Sequence, residues 1–251
     1  MNIKKHLPNA ITCGNLFCGC LAIVSAFKGD LVWSAYLVGI AAVLDFFDGF
    51  AARLLKVHSA IGSQLDSLAD MVTFGVVPGV IMFQLIRHSI DTYSEMQLGI
   101  VIPVYFSYVS FFIVIFSAIR LAKFNIDTRQ TDSFIGVPTP ANSILICSFP
   151  LILEFQTKSQ DELWVLLLNP YFLIVLTILM SYLLVAELSL FALKFKNFGW
   201  IDNKIRYSFL IISLFLLILF QFIAIPFIIF LYIILSIINN TFNKNEIQSR
   251  N

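Results

Sequence analysis

The sequence contains little charge for its length. Only 12% of its 251 residues are Asp, Glu, Lys or Arg, about half the share in a typical soluble domain, whereas 59% are hydrophobic. The net charge is +1 and the chain has no long basic tract, so nothing in it predicts a nucleic-acid partner. The composition instead indicates an integral membrane protein.

Cysteine is also scarce, and its placement excludes two common uses. The four cysteines have no histidines at zinc-site spacing and form no disulfide framework. Because all of them lie in apolar runs, we expect each to be a small buried hydrophobic residue. They are Cys13, Cys18, Cys20 and Cys147.

The apolar runs predict an all-α, polytopic membrane protein with eight spans, since about 20 helical residues cross a bilayer. The predicted spans are 10–28, 31–53, 62–86, 97–119, 138–156, 164–192, 206–222 and 225–240. The last two divide a single apolar stretch, which is too long for one span, at Pro226.

Charge bias predicts the orientation of these spans. With eight spans both termini share one side, which carries Lys4, Lys5, Arg53, Lys56, Arg120, Lys123, Arg129, Lys194, Lys196, Lys204, Arg206, Lys244 and Arg250. The other side carries only Lys28, Arg87 and Lys158. The positive-inside rule therefore predicts cytoplasmic termini.

Four carboxylates lie close to the cytoplasmic ends of two successive spans. Asp45 and Asp48 are three residues apart on the second span, and Asp66 and Asp70 are four apart on the third, so each pair shares a helix face. The spans are antiparallel and joined by a short loop. We therefore expect all four acids at one depth, facing one space.

Four anions in one apolar space must be protonated, paired with bases or bound to cations. Arg53 is the only strong base within this segment, so pairing alone cannot neutralise them. Two hard divalent ions, Mg²⁺ or Mn²⁺, would balance four charges. A proton or ion pathway in a transporter is the alternative.

Small residues flank these acids. Gly49, Ala52 and Gly62 would let a ligand approach the helix backbones, although small residues also serve ordinary helix packing in membranes. Arg53 can hold a phosphate through two parallel hydrogen bonds. Together with the acids, they favour a site for a phosphate-containing substrate.

The complete pattern is Asp45-x2-Asp48-Gly49-x2-Ala52-Arg53-x8-Gly62-x3-Asp66-x3-Asp70. It resembles the signature of the CDP-alcohol phosphatidyltransferases at every position. The resemblance implies a core of six transmembrane helices, a CDP-linked lipid donor, two divalent metals and CMP as leaving group. It also implies that all four aspartates are metal ligands and that Asp70 is in addition the base that acts on the acceptor alcohol.

Further stretches resemble the bacterial, membrane-embedded phosphatidylserine synthases of this family. They are LPNAITCGNLFCG, LDSLADMVTFGVVP, RLAKFN and FIGVPTPAN, between Pro8 and Asn142. Asn9, Thr12 and Asn15 form a polar stripe on the first span that can reach the donor. The resemblance implies CDP-diacylglycerol and L-serine as substrates, in a membrane-lipid environment, and leaves a homodimer open.

Binding serine requires a positively charged side chain that pairs with its carboxylate. Arg120 and Lys123 end the predicted fourth span and lie at the right depth for this. Glycerol 3-phosphate and inositol phosphate are alternative acceptors. Glu187, predicted inside the sixth span, could meet an ammonium group, but we expect it to pack against a polar or basic neighbour. His58 is expected to face solvent. We predict a transferase core over residues 1–192 and a transmembrane hairpin with a cytoplasmic tail over 193–251.

Overall fold

The computed structural model describes residues 6–57, 59–95, 102–127, 133–158, 161–191, 199–200 and 203–248. In these ranges the chain forms α1 (His6–Phe27), α2 (Leu31–Leu54), α3 (Ala60–Asp70), α4 (Val77–Glu95), α5 (Phe111–Ile126), β1 (Ser133–Ile135), α6 (Thr139–Phe155), α7 (Glu162–Leu167), α8 (Pro170–Val185), β2 (Ser189–Phe191), α9 (Lys204–Phe220) and α10 (Ala224–Gln248). A π-helical segment, Met71–Val76, joins α3 to α4, and 3₁₀ turns precede α5 and α10.

The helices have the length and composition of membrane spans, which confirms the predicted all-α, multi-pass architecture. Five apolar helical stretches are long enough to cross a bilayer: His6–Phe27, Leu31–Leu54, Ala60–Ser94, Val104–Ile126 and Lys204–Ile238. Two shorter apolar helices, Thr139–Phe155 and Pro170–Val185, accompany them.

The first two helices form a tight antiparallel pair. Gly29 turns the chain in the left-handed region (φ +86°), and the Asp30 side chain accepts a hydrogen bond from Trp33 N to begin α2. Ser34 Oγ then donates to the Ala22 carbonyl, 2.9 Å away, across the close helix contact. The pair therefore places the C-terminal end of α2 beside the beginning of α1.

The expectation that every cysteine is buried was wrong for part of α1. Cys147 is buried in α6 and Cys18 is half-buried, but Cys13 and Cys20 are exposed. The reason is helical periodicity: one face of α1 packs against α2 and α3, and these two cysteines lie on the face directed outward.

The third span is longer than predicted. Instead of 62–86, α3, the π-helical segment and α4 form one continuous helical stretch over Ala60–Ser94. The wider π turn lies just before Pro78, whose missing N–H cannot continue a regular α-helical ladder. Phe74, Ile81 and Met82 are completely buried along this stretch, which is the centre of the bundle.

Two other predicted boundaries were wrong. The fourth span does not lie at 97–119: after Pro103 the described helical stretch runs over Val104–Ile126, so Arg120 and Lys123 lie within its last turns rather than at its end. The sixth span is not a single helix over 164–192. Pro170 begins a new helix capped by Asn169, and that helix ends at Val185, which leaves Glu187 in an extended segment.

The C-terminal apolar stretch is a helical hairpin, as predicted, but Pro226 does not break it. The turn lies at Gln221 (φ +49°), and Pro226 belongs to the first turn of α10. The Phe209 and Tyr232 rings are 5.7 Å apart, whereas a continuous helix would separate them by about 35 Å.

Gln156, at the end of α6, fixes this turn. Its side-chain amide donates to the Phe220 carbonyl (2.9 Å) and accepts from the Ile223 N–H (2.9 Å). Both backbone groups are left without helical partners by the turn, so one side chain satisfies them together.

A two-stranded antiparallel ladder, not predicted from the sequence, joins the chain before α6 to the chain after α8. It pairs Ser133 with Phe191 and Ile135 with Ser189. Gly136 N and Val137 N continue the connection by donating to the carbonyls of Leu188 and Leu183, both at 2.9 Å. These bonds hold the segment around Glu187 against the beginning of α6.

Some predictions fall on residues outside the described part of the chain. His58 is one of them, so its exposure stays a prediction. The same holds for several cations that set the predicted orientation: Lys4, Lys5, Arg129, Lys194, Lys196 and Arg250. The division of the chain between residues 192 and 193 also stays a prediction.

Candidate active site

Three of the four aspartates converge where the end of α2 meets α3. Carboxylate oxygens of Asp45, Asp48 and Asp66 all lie within 4.8 Å of one another. Asp48 is buried and the other two are half-buried. The predicted shared space at one depth is therefore present for these three acids.

Asp70 lies beside this group rather than within it. Its carboxyl group interacts with that of Asp45, and Asn15 Nδ2 donates to its Oδ1 across 3.4 Å. It also closes α3, immediately before the π-helical segment. The fourth acid thus has its own position, next to the cluster and one turn further along the helix.

Helix α1 supplies neutral polar partners for these acids. Thr12 Oγ1 lies 2.8 Å from Asp48 Oδ2 and 3.0 Å from the Pro8 carbonyl, so its one proton is shared between two acceptors. Asn15 is fully buried against Asp70. Neither side chain carries a positive charge, so these hydrogen bonds do not balance the charge of the acids.

The donor set fits a hard divalent cation. Three carboxylates, each offering one oxygen within a 4.8 Å group, match the all-oxygen coordination that Mg²⁺ and Mn²⁺ prefer. Clustered, partly buried carboxylates with neutral partners also require a compensating charge. Asp45, Asp48 and Asp66 are therefore the residues that could hold such an ion, with Asp70 next to them.

A cavity of about 200 Å³ opens beside the acids. We call it the donor cavity; its lining consists of Pro8, Asn9, Thr12, Asp48, Gly49, Ala52, Val57, Ser59, Gly62, Ser63 and Asp66. Five residues predicted for donor binding are among these: Asn9, Thr12, Gly49, Ala52 and Gly62. Asn15 lies deeper, against Asp70, and is not part of the lining.

Two glycines keep this cavity open. A Cβ atom at Gly62 would lie 2.8 Å from Ser59 Oγ and 2.9 Å from Asn9 Oδ1, closer than carbon and oxygen pack. At Gly49 the nearest atom to an added Cβ is Arg53 Nη1, at 3.8 Å. Arg53 is exposed and is not part of the lining, although its guanidinium lies close to Gly49.

A second cavity, of about 310 Å³, is lined by Arg120, Lys123, Ile126, Asp127, Ile135, Leu184, Val185 and Glu187. We call it the acceptor cavity, because Arg120 and Lys123 are the residues that were predicted to bind the acceptor. Arg120 is 6% exposed, interacts electrostatically with Asp70, and its Nε–H has no hydrogen-bond partner among the described residues. The guanidinium packs over the Phe124 ring at 5.9 Å.

A sequence model of the CDP-alcohol phosphatidyltransferases matches residues 5–172, about two-thirds of the chain. The chain belongs to this family. The match includes both pairs of aspartates and all residues that line the donor cavity.

Curated relatives agree with this assignment. The chain is 34% identical to the CDP-diacylglycerol–serine O-phosphatidyltransferase of Bacillus subtilis strain 168, over 77% of this chain and 92% of that protein. It is 38% identical to the protein of the same name from Helicobacter pylori strain J99, over 55% of this chain and only 54% of the relative. An archaetidylserine synthase from Methanothermobacter thermautotrophicus is 30% identical over 60% of this chain and 62% of that relative.

Two polar residues outside the aspartate cluster, Thr73 and Asn142, have different environments. The Thr73 hydroxyl donates to the Asn15 carbonyl (3.3 Å). Thr73 also packs against Gly19, where an added Cβ would lie 2.5 Å from the Thr73 hydroxyl oxygen. Asn142 is fully buried and both of its side-chain polar atoms lack partners. Threonine at position 73 therefore has a structural role, whereas nothing in the structure explains the asparagine at 142.

Several cavity residues were not predicted, or were placed differently, from the sequence. Ser59 could have been found, because it precedes α3 as an N-cap and accepts from Gly62 N at 2.9 Å. Glu187 was predicted inside a helix, but it lies beyond the end of α8 and lines the same cavity as Arg120. That proximity depends on the strand ladder and on the early end of α8, which no local pattern indicated.

Proposed function

We propose that this protein transfers a phosphatidyl group from CDP-diacylglycerol to the hydroxyl group of L-serine and releases CMP. The observation that carries the proposal is the group of three carboxylates within 4.8 Å of one another, opening onto a cavity kept free by Gly49 and Gly62. Family membership and the names of the relatives support the donor and the acceptor.

The acids would bind two divalent ions, Mg²⁺ or Mn²⁺, with Asp45, Asp48 and Asp66 as ligands and Asp70 as a further ligand. When bound, such ions offset the charge on the pyrophosphate of the donor and on its departing phosphate. Arg53, next to Gly49 of the donor cavity, would bind a phosphate oxygen. Asn9, Thr12 and Asn15 would orient the nucleotide end and the acids, and Gly49, Ala52 and Gly62 provide the space.

Asp70 would accept the proton of the serine hydroxyl. The hydroxyl oxygen forms a bond to the phosphorus that carries the diacylglycerol, and the bond from that phosphorus to the CMP oxygen breaks. Asp70 interacts electrostatically with Asp45 and Asp66 on one hand and with Arg120 of the acceptor cavity on the other, which supports its assignment as the base. Arg120 and Lys123, in the lining of that cavity, would hold the serine carboxylate.

The site would face the cytoplasm, with the protein in the cell (inner) membrane and both termini cytoplasmic. The charge bias across the predicted spans supports this orientation. CDP-diacylglycerol would reach the site from the membrane and serine from the cytosol. Residues 1–192 would form the transferase core, residues 193–251 the added hairpin and tail, and a homodimer is compatible with this arrangement.

The decisive experiment measures CMP release by the purified protein in detergent, with CDP-diacylglycerol, Mg²⁺ or Mn²⁺, and L-serine. We expect release that depends on both metal and serine and yields phosphatidylserine. No ion gradient should be needed, which separates a transferase from a transporter. Metal-independent release, or product formation only with another alcohol, would contradict the proposal.

Asp70→Asn tests the assignment of the base in the same assay. The variant should lose about 10²- to 10⁴-fold in serine-dependent turnover, because the amide cannot accept a proton. The affinity for a CDP analogue, measured by calorimetry, should change little, because three other carboxylates remain. Substantial turnover by this variant would assign the base to another group.

A further inference from the structure

The acceptor cavity carries charges of both signs. Arg120 and Lys123 contribute two positive groups, and Asp127 and Glu187 contribute two negative groups. A cavity of about 310 Å³ has the volume of about ten water molecules, which is enough for a small amino acid. Its charge pattern therefore matches a small molecule that itself carries both an anionic and a cationic group.

The positive side of this cavity is a built site rather than a surface patch. Arg120 is only 6% exposed, lines the cavity and has an Nε–H without a partner in the part of the chain that the structure describes. Burying an unsatisfied guanidinium N–H is costly unless a ligand accepts its hydrogen bond. A carboxylate is the acceptor that matches its geometry.

The two acids differ in their availability. Asp127 already takes part in an interaction within the protein. Glu187 has no hydrogen bond or ion pair with any residue in the described part of the chain, and it is exposed. Of the two, Glu187 is therefore the carboxylate that can meet a ligand.

The backbone around Glu187 is held in place. Gly136 N donates to the Leu188 carbonyl and Val137 N to the Leu183 carbonyl, so hydrogen bonds fix the chain on both sides of the glutamate. Gly136 approaches so closely that an added Cβ would be 2.3 Å from Leu184 O and 3.3 Å from Ala186 O. The fold therefore determines the position of the backbone from which the Glu187 side chain extends.

We infer that Glu187 determines the acceptor specificity of this cavity: it binds the ammonium group of an amino alcohol and repels alcohols that carry a phosphate. The inference rests on the proposed function and extends it from the reaction to the choice of acceptor. A phosphorylated alcohol would place about two negative charges beside this carboxylate, and such repulsion is an effective way to exclude a competing substrate.

The test compares acceptors that differ in one group. Glycerate is serine with a hydroxyl in place of the ammonium, and glycerol 3-phosphate represents the phosphorylated alcohols. In Glu187→Gln, which keeps the shape and removes the charge, the KM for serine should rise about tenfold while kcat stays within about twofold. The preference for serine over glycerate should fall by a similar factor, and transfer to glycerol 3-phosphate should increase.

Two further variants provide controls. Glu187→Asp keeps the charge and should recover part of the preference for serine. Glu154→Gln makes the same chemical change at an exposed glutamate near the C-terminal end of α6, outside both cavities, and should leave every kinetic constant unchanged.

The outcomes separate this inference from the proposed function. Wild-type protein that does not use serine would refute the proposed function itself. Wild-type activity with serine, combined with unchanged serine KM and unchanged acceptor preference in Glu187→Gln, would refute the role of Glu187 alone. An equal loss of kcat with every acceptor would also refute it, because a specificity residue acts on one acceptor class.

Discussion

The two cavities are built in different ways. Every residue of the donor cavity lies between Pro8 and Asp66, on three successive helices and the loop between the last two. The acceptor cavity combines residues from three distant segments: the C-terminal end of α5, strand β1, and the end of α8 with the chain that follows it. One cavity is therefore a local product of helix periodicity, and the other depends on the tertiary fold.

This difference matches the division of labour in the proposed reaction. The chemistry at the phosphate requires fixed spacing between acids, and two helices can supply it within a short segment. Choosing an acceptor requires a few charges around a small ligand, which several elements can supply in many ways. The family match, residues 5–172, accordingly covers the whole donor cavity but ends before Glu187.

The C-terminal hairpin supports the acceptor side. Tyr232 of α10 donates to the Phe191 carbonyl (2.9 Å) at the end of β2, and the two rings meet edge to face at 5.0 Å. Tyr232 also interacts electrostatically with Arg120. A segment beyond the family match thus helps to fix both the strand ladder and the principal cation of the acceptor cavity.

The largest effect is expected from Asp48→Asn, which should remove activity with every acceptor. The variant lacks one of three clustered charges and weakens the contact with Thr12, so turnover should fall by about 10³-fold or more at limiting Mg²⁺. CMP release measures the effect. Asp91→Asn, an exposed acid of α4, is the matched control. Wild-type turnover by Asp48→Asn would remove the metal role from this cluster.

The next largest effects are expected from two arginine variants, each of which should affect the substrate of one cavity only. Arg120→Ala should raise the KM for serine about 100-fold, since it removes a buried charge that faces the ligand, and leave the KM for CDP-diacylglycerol within about threefold. Arg53→Ala should instead raise the KM for CDP-diacylglycerol and leave the KM for serine within about threefold. The rise should be smaller, about tenfold, because this side chain is exposed.

Arg87→Ala, an exposed arginine of α4, serves as the control for both. Arg120→Lys should not restore function fully, because lysine cannot form two parallel hydrogen bonds to a carboxylate. Equal changes in both KM values for either variant would mean that the two cavities do not act separately.

Two glycine variants should give smaller increases in the KM values for serine and for the donor. Gly136 has φ +76°, and an added Cβ would meet the Leu184 backbone, so Gly136→Ala should displace the segment that carries Glu187 and raise the serine KM about tenfold. Gly62→Ala should raise the donor KM by less, about threefold, because Asn9 and Ser59 can rotate away.

Gly39→Ala is the control, since nothing lies within 4 Å of a Cβ there. Circular dichroism and thermal melts show whether Gly136→Ala remains folded. An unchanged serine KM in a folded Gly136→Ala protein would contradict the dependence of the acceptor cavity on the strand ladder.

These glycines also show how far the sequence predicts the structure. Gly62 lies in a motif with regular spacing, and its place beside Asp66 followed from helix periodicity alone. Gly136 lies in a short stretch whose significance depends on Leu184, 48 residues later in the chain. Nothing in the local sequence indicates that these two segments meet.

Helix ends were the other weakness of the sequence prediction. Hydropathy located the apolar runs, but it did not predict that α5 extends to Ile126, beyond Arg120, or that α8 ends at Val185, before Glu187. Pro226 was expected to divide the last apolar stretch, yet the turn forms at Gln221, where Gln156 satisfies the backbone. A hydrogen-bonding partner on another helix, rather than the proline, therefore determines where this turn forms.

The smallest effect on catalysis, and a clear one on stability, is expected from Gln156→Ala. The variant leaves the Phe220 carbonyl and the Ile223 N–H without their partner at the turn between α9 and α10, which costs about 1–3 kcal/mol. The melting temperature in detergent should fall, while kcat and the donor KM change by less than about twofold, because the donor cavity does not contact the hairpin. Gln64→Ala, an exposed glutamine of α3, is the control for the loss of a glutamine side chain. If the serine KM rises in parallel with the loss of stability, the hairpin maintains the acceptor cavity through Tyr232; if the donor KM rises as well, the two cavities are not independent structural units.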